Sequence, residues 1–397
     1  MNGACEPTGR IRPPGTTIGL LGGGQLGRML VLAGTNLGYR FVTLDPTPDS
    51  PCGQVSEQIR AAYDDEHAAR ELAERCDVIT YEFENVDAGV AALLEQESSV
   101  PQGSSLLYTT QHRLREKRSI EAAGVPVAPY REISSPADMV QAVAELGVPC
   151  VLKTAVGGYD GKGQVVIRQP EEATAAYEQL AGSGAELVLE QFIRFRCEIS
   201  VIVARSTNGE AKAFPPAENI HVNNILHTSI VPARVPEPVQ EEARKLALAV
   251  AESLGAVGLL AVEMFVTEDG QLYVNELAPR PHNSGHYTME GCATSQFEQH
   301  IRAICGLPLG STKLLTSVVM VNVLGEHLED VVRRFAQSDV EAERLDVVPK
   351  LHLYGKSEAK PGRKMGHINL LCQDAEQALE WIEQTNIWGK NSHDRTL

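Results

Sequence analysis

The sequence predicts an α/β fold spread over two or three domains, and three observations carry that prediction. In the first hundred residues, apolar runs of strand length alternate with amphipathic helical stretches, which implies a mostly parallel sheet. A glycine turn, Gly22-Gly-Gly-Gln-Leu-Gly27, joins the first run to the first helix. Further on, hairpin signals replace the alternation, so a second kind of sheet follows in the same 397-residue chain.

Residues 1–15 form a polar tail containing Pro and Gly and are expected to be loosely ordered. The first folded unit opens at Thr17, where a buried strand turns through Gly22, Gly24 and Gly27 into a helix. Those glycines fit G-x-G-x-x-G, and a second strand, residues 40–44, ends at Asp45, near the spacing of a ribose-binding acid. Taken alone, this says dinucleotide-binding unit; yet the same glycines let any strand turn tightly into a helix. A helix over 65–75, a strand over 77–81 and a helix over 88–95 continue the alternation. Ligands of such sheets sit at the carboxyl ends of the strands, which is where Gln25, Glu82 and Glu84 fall. Glu84 on its own reads as a solvated loop residue. A charged helical linker over 110–123 carries Arg113 and Lys117, most of its charges expected on a solvated face.

The next signal is Lys153-Thr-Ala-Val-Gly-Gly-Tyr-Asp-Gly-Lys-Gly163, a glycine-rich hairpin loop between apolar runs at 148–152 and 165–167. Bare backbone N–H groups beside Lys153 and Lys162 suit phosphate oxygens, so this loop reads as a nucleotide lid. It is not a P-loop, because G-x-x-x-x-G-K-[ST] is absent and no helix follows. Two strands come next, 187–193 and 198–203, carrying Glu190 and Glu198; the first offers backbone groups to an adenine edge. Residues 259–277 form a hairpin read as closed by Asp269-Gly270, and counting outward from that turn puts Glu263 opposite Glu276. Like charges so placed repel, which a divalent cation held by hard oxygen ligands would relieve; Mg²⁺ fits best. Beyond it, Ala278-Pro-Arg-Pro-His-Asn-Ser-Gly-His286 is an irregular, polar loop where a substrate would be met, and its two histidines lack a third zinc ligand at a typical spacing. A strand at 317–324 and a stretch concentrating cations, residues 350–367, end the chain; the latter suits a phosphate monoester.

Composition narrows the function further. A net charge of -17 argues against nucleic-acid and membrane-surface binding, leaving small molecules as partners. Eight cysteines without C-x-x-C spacing suit reduced thiols in a cytoplasm, with Cys150 and Cys197 as core fillers. No signal peptide or bilayer-length apolar run is seen.

Five motifs, in order, carry a resemblance: Gly22-Gly-Gly-Gln-Leu-Gly-Arg28, Thr80-Tyr-Glu-Phe-Glu-Asn-Val86, Gly157-Gly-Tyr-Asp-Gly-Lys-Gly163, Asn275-Glu-Leu-Ala-Pro-Arg-Pro-His-Asn-Ser-Gly-His286 and Pro361-Gly-Arg-Lys-Met-Gly-His367. Together they resemble the N5-carboxyaminoimidazole ribonucleotide synthetase family, ATP-grasp enzymes of purine biosynthesis. The resemblance implies an ATP-grasp fold with an N-terminal Rossmann-like pre-ATP-grasp domain (15–118), an ATP-grasp domain (119–308, its lid lobe about 125–204) and a small C-terminal domain (309–397). It implies carboxylation of 5-aminoimidazole ribonucleotide with bicarbonate and ATP through carboxyphosphate. ATP would be met by Arg113, Lys153, the loop Gly158, Tyr159, Asp160, Gly161, Lys162, Gly163 and Gln164, then Glu190, Gln191, Phe192, Ile193, Glu198, His221, Asn275 and Glu276. Mg²⁺ would sit on Glu263 and Glu276; where most ATP-grasp enzymes place a further asparagine, this chain has Ala278, so Asn275 or water completes the shell. The ribonucleotide side would be Gln25, Glu82, Tyr159, Asp160, Arg280, His282, Lys356 and Arg363, with Asp160, Lys162 and Arg280 carrying the chemistry. A homodimer is implied, as are a separate mutase that takes the product and the stand-alone, mainly prokaryotic form without a carboxylase domain. Rival readings are a formate-dependent phosphoribosylglycinamide transformylase of the same fold, an NAD-dependent dehydrogenase and a non-catalytic nucleotide sensor.

Overall fold

The computed structural model describes residues 11–157, 163–182, 184–337 and 339–389. Its first sheet has four parallel strands in the order Glu57–Ile59, Arg40–Leu44, Thr17–Leu21, Val78–Tyr81. The two central strands, Arg40–Leu44 and Thr17–Leu21, are buried on both faces beyond their first residues because helices cover both, as a parallel sheet requires. Helix Gln25–Asn36 covers one face, and helix Glu66–Arg75, capped by Asp65 accepting from the N–H of His67 and Ala68, covers the other. Residues 12–15 are not loose, contrary to expectation. Arg12 donates its N–H to Cys305 O at 2.9 Å and its guanidinium to Ser99 Oγ at 2.6 Å, while the Tyr39 hydroxyl donates to Arg12 O. Residues 1–10 lie outside the described part. The helical linker is also two helices, Ser104–Thr110 and Arg113–Ala122, broken around His112.

The second sheet is antiparallel, in the order Tyr130–Ile133, Leu187–Gln191, Cys150–Thr154, Gln164–Ile167. Helices Pro136–Leu146 and Ala173–Ala181 bury Met139, Ala142, Val143, Ala173 and Ala176 against it. Lys153 pairs with Gln164 at the mouth of the glycine hairpin.

The third sheet has nine strands. Eight run in the order Leu272–Ala278, Gly258–Val266, Cys197–Arg205, Ala217–Val222, Ile225–Val231, Ser317–Leu324, Lys364–Cys372, Val348–Leu353, and Ala211–Ala213 pairs with Cys197–Arg205. Strand Ile225–Val231 hydrogen-bonds Ser317–Leu324, so the C-terminal region continues the central sheet. Helix Glu237–Ser253 packs through Ala243, Ala247, Val250 and Ala251, the spacing of a single helical face. Helix Gln296–Ile304 joins the units: Phe297, Ile301 and Ile304 enter the core that Leu26, Met29 and Leu30 of the first helix also line.

The hairpin register differs from the reading at its turn and agrees at its far end. Thr267 N–H donates to Gln271 O and Gly270 N–H to Thr267 O, with Gly270 at φ +82°, so the loop has three residues and pairs Val266 with Leu272. A β-bulge at Asn275 then adds one residue and brings Glu263 opposite Glu276.

Candidate active site

Glu263 and Glu276 face each other on the edge hairpin, and Glu198 on the neighbouring strand lies beside them. Each has a nitrogen-bearing side chain beside it. His282 Nε2 is 3.0 Å from Glu263 Oε1, Arg113 Nη1 is 3.7 Å from Glu276 Oε2, and His221 Nδ1 is 3.4 Å from Glu198 Oε2. Burial pushes the Glu263 carboxyl up, but His282, His221 and Arg280 overcome it and hold the group low, at about 2. The other two go the opposite way: burial and the facing Glu263 raise Glu276, and burial with both neighbours raises Glu198 to about 8. The three carboxyl groups crowd one another, and each charge disfavours ionisation of its neighbours. Among the described residues no three His, Cys, Asp or Glu side chains form a closed metal cluster. Two hard carboxylate ligands open to further oxygens suit Mg²⁺, which keeps water and phosphate in its shell. Asn275, the bulged residue between them in sequence, is half-buried.

Across the cleft, Lys153 donates to Glu190 Oε2 at 2.9 Å and Lys117 approaches Glu190 Oε1 at 3.2 Å. Burial disfavours the Glu190 carboxylate, yet Lys153 and Lys117 outweigh it and pull its pKa to about 2. Glu190 is therefore a buried member of a charge cluster, not strand-edge surface charge. Lys117, expected on a solvated face, is 1% exposed. Beyond Glu190 the strand ends at Gln191; Gln191 and Phe192 give their N–H groups to Pro129 O and Pro149 O, so an adenine edge would be met by Ile193 and by carbonyls. Gly163, at φ +69°, and Gln164 stand at the hairpin mouth. Gly158, Tyr159, Asp160, Gly161 and Lys162 lie outside the described residues.

On the N-terminal side, Glu82 fills the glycine turn. Its carboxylate accepts the N–H of Gly24 at 2.5 Å and of Gly27 at 2.7 Å, while Asp45 accepts that of Gly23 at 2.7 Å. Burial pushes the Glu82 carboxyl upward, and the two N–H groups oppose that. A Cβ at Gly22 would lie 2.5 Å from Glu82 Cγ, so glycine is needed there to admit this side chain. The helix N-terminus that would receive a dinucleotide pyrophosphate is thus occupied by the protein's own carboxylate, and Asp45 is spent on Gly23, Thr47 and Tyr63. The dinucleotide reading of these glycines does not hold. Gln25, half-buried, opens the helix next to them.

Glu84 also departs from expectation. Both its oxygens engage Arg280, from Nε and from Nη2, the latter at 2.9 Å, so it is an ion-pair partner and not a solvated loop residue. From the C-terminal hairpin, Gly355 O accepts Gln54 Nε2 at 2.8 Å, which brings Lys356 to the mouth of the glycine turn. Burial and the nearby Arg363 lower the Lys356 ammonium to about 8, with Glu82 opposing. Lys356 donates to Lys364 O and Arg363 to Glu358 O.

Three members of this arrangement escaped the sequence reading: the buried Lys117 and Glu116, and the half-buried Glu84. Glu116 is 4% exposed, accepts Leu277 N–H at 3.3 Å and is raised to about 8 by burial and Glu276. The spacing of four between Arg113 and Lys117 puts both on one helix face but points to no partner for either.

Comparison with known proteins matches three domain families: the ribonucleotide synthetase preATP-grasp domain over residues 15–111, the ATP-grasp domain over 118–297 and the phosphoribosylaminoimidazole carboxylase C-terminal domain over 318–381. The N5-carboxyaminoimidazole ribonucleotide synthase of Bacillus subtilis (strain 168) is 52% identical over 380 residues, 94% of this chain and 96% of the relative. This chain belongs to the N5-carboxyaminoimidazole ribonucleotide synthase family. The member from Staphylococcus aureus (strain COL) is 42% identical, covering 91% of this chain and 94% of its own. A crystal structure of an ADP complex of a family member superposes with a TM-score of 0.90 at 56% identity, over 96% of this chain and 98% of the other. The synthase from Aspergillus clavatus, in complex with ADP and 5-aminoimidazole ribonucleotide, gives 0.83 at 32% identity, over 93% and 97%. As a member of the family the chain is an ATP-grasp ligase, and no described helix is long and apolar enough to cross a membrane.

Proposed function

We propose that this chain carboxylates the exocyclic amine of 5-aminoimidazole ribonucleotide, using ATP and bicarbonate and releasing ADP and phosphate. The observation that carries the reading is the meeting of two unlike surfaces: the Glu263–Glu276 pair with Lys153 and Arg113, and the Arg280 and Lys356 cations, with the His282 imidazole between the two. The first suits a nucleoside triphosphate with its cation; the second suits a ribonucleotide phosphate and a small oxyanion. Glu263 and Glu276 would hold Mg²⁺, which when bound offsets phosphate charge as the γ-phosphoryl group is transferred.

In this reading a bicarbonate oxygen attacks the γ-phosphorus and ADP leaves, giving carboxyphosphate. Carboxyphosphate breaks down to CO₂ and phosphate, and the amine nitrogen bonds to CO₂ and gives up a proton. Arg280 and His282 orient the oxyanion, Lys356 and Arg363 take the ribonucleotide phosphate, and a closed lid keeps water from the intermediate. Asp160 and Lys162 of the glycine loop would act from that lid. The enzyme would work as a homodimer in the cytoplasm and hand its product to a separate mutase. Among the described residues the cysteines are buried thiols, which suits that compartment.

The test is ADP release in the presence of Mg²⁺. It should require 5-aminoimidazole ribonucleotide and bicarbonate together. Stimulation by glycinamide ribonucleotide with formate would favour the transformylase, and ATP binding with no ADP release under either condition would favour a sensor.

A further inference from the structure

A guanidinium has five N–H donors in a planar fork, and the structure accounts for three of those of Arg280. Glu84 takes the side-on pair, Nε–H and one Nη2–H, and Pro281 O takes one Nη1–H at 3.2 Å. The two that remain are one N–H on Nη1 and one on Nη2, the nitrogens of the end-on edge, whose spacing matches two oxygens of a planar oxyanion. The loop bearing Arg280 is fixed separately. Gln102 Nε2 donates to Pro279 O at 3.1 Å, and Gln296 bonds both backbone groups of His282. Among the described residues Glu84, delivered from the N-terminal sheet just beyond Val78–Tyr81, is the one side chain hydrogen-bonded to the guanidinium, and it fixes the plane together with Pro281 O.

We propose that Glu84 is a positioning residue: by gripping the side-on edge of Arg280, it aims the end-on edge at the bicarbonate carbonyl oxygens and at the carboxylate of the activated intermediate. The inference rests on the proposed function, because it needs a planar oxyanion in the cycle. Removing the grip frees the guanidinium to swing toward Glu276 or Glu82, the other carboxylates whose charge it feels. Loss of catalysis then comes from a misaimed donor pair and not from a weaker fold.

The experiment is a four-way comparison in the full chain: wild type, Glu84→Gln, Arg280→Lys and the double variant, with Glu84→Asp as a control that keeps the charge. Bicarbonate-dependent ADP release is measured with 5-aminoimidazole ribonucleotide, together with ATP affinity and melting temperature. Glu84→Gln should raise the bicarbonate KM and lower kcat, at least thirtyfold in kcat/KM, roughly the effect of misplacing a donor by 1 Å. ATP affinity should stay within about twofold, and Glu84→Asp should recover part of the loss. In the Arg280→Lys background, Glu84→Gln should add no further loss, because Glu84 acts only through the guanidinium. Additive losses, or equal losses in ATP and bicarbonate terms, would overturn the positioning role. If wild type releases no ADP in response to bicarbonate, the proposed function fails first and this inference falls with it. If wild type responds and the losses add, the Glu84 role alone is lost.

Discussion

Replacing Glu276 with glutamine separates the metal reading of the paired glutamates from a structural one. A cross-strand pair sets its carboxylates about 5 Å apart. At an effective dielectric near 20, two unit charges at that distance repel by roughly 3 kcal/mol. The same substitution forfeits the attraction of Arg113 at 3.7 Å, which at that dielectric is about 4 kcal/mol. Because 46% of the Glu276 side chain faces solvent, both figures shrink together, and their difference stays within roughly 1 kcal/mol. Melting temperature should therefore move by no more than about 4 °C. Turnover behaves differently. A divalent cation contributes several kcal/mol of charge stabilisation to phosphoryl transfer, so losing one of its two carboxylates should lower kcat/KM by roughly a hundred- to a thousandfold and shift the Mg²⁺ half-saturation upward. ATP turnover across a Mg²⁺ titration, with thermal melts with and without Mg-ADP, measures both. Wild-type turnover at unchanged Mg²⁺ dependence would remove Glu276 from the site, and collapse of the fold would refute the cancellation.

The buried Glu190 has its carboxyl held at about 2, below the ordinary 4.5, so its stability contribution is present above about pH 4.5 and lost as pH falls toward 2. Glu190→Gln should flatten that acid limb in denaturant melts at pH 3–7, and also cost roughly 3 kcal/mol at neutral pH by stranding Lys117. Lys356 titrates near 8, so its charge fades as pH rises past that value; the KM for 5-aminoimidazole ribonucleotide should climb between pH 7 and 9, and the climb should vanish in Lys356→Arg. An unchanged climb in that variant would show that another group titrates. NAD and NADP should show no saturable binding by calorimetry at micromolar concentrations, because Glu82 occupies the turn that would take their pyrophosphate.

How far the site was legible depended on the distance over which each residue's meaning is decided. The Glu263–Glu276 pairing was readable because a hairpin is local, although the count reached it through two departures that cancel, a longer turn and the bulge at Asn275. Strands 17–21 and 40–44 were legible from their apolar runs alone. Glu84 and Lys117 were not, since each takes its role from a partner remote in sequence, Arg280 and Glu190 respectively. A charged residue on a helix or loop looks solvated until its distant partner is known, and nothing in periodicity encodes the partner. The glycine turn was ambiguous for the same reason: glycines announce that something approaches the backbone closely, and only the fold shows that it is a side chain from 58 residues away.

That side chain changes how the first domain responds to its surroundings. A helix N-terminus waiting for a phosphate gains stability only as its ligand accumulates, by RT ln(1 + [L]/Kd), so its rigidity tracks metabolite level. Here the anion is tethered to the adjoining strand and can neither dissociate nor be outcompeted by free nucleotides. The turn is therefore set before any ligand arrives, and nucleotide supply leaves it unchanged, giving the first domain a corner of constant stiffness.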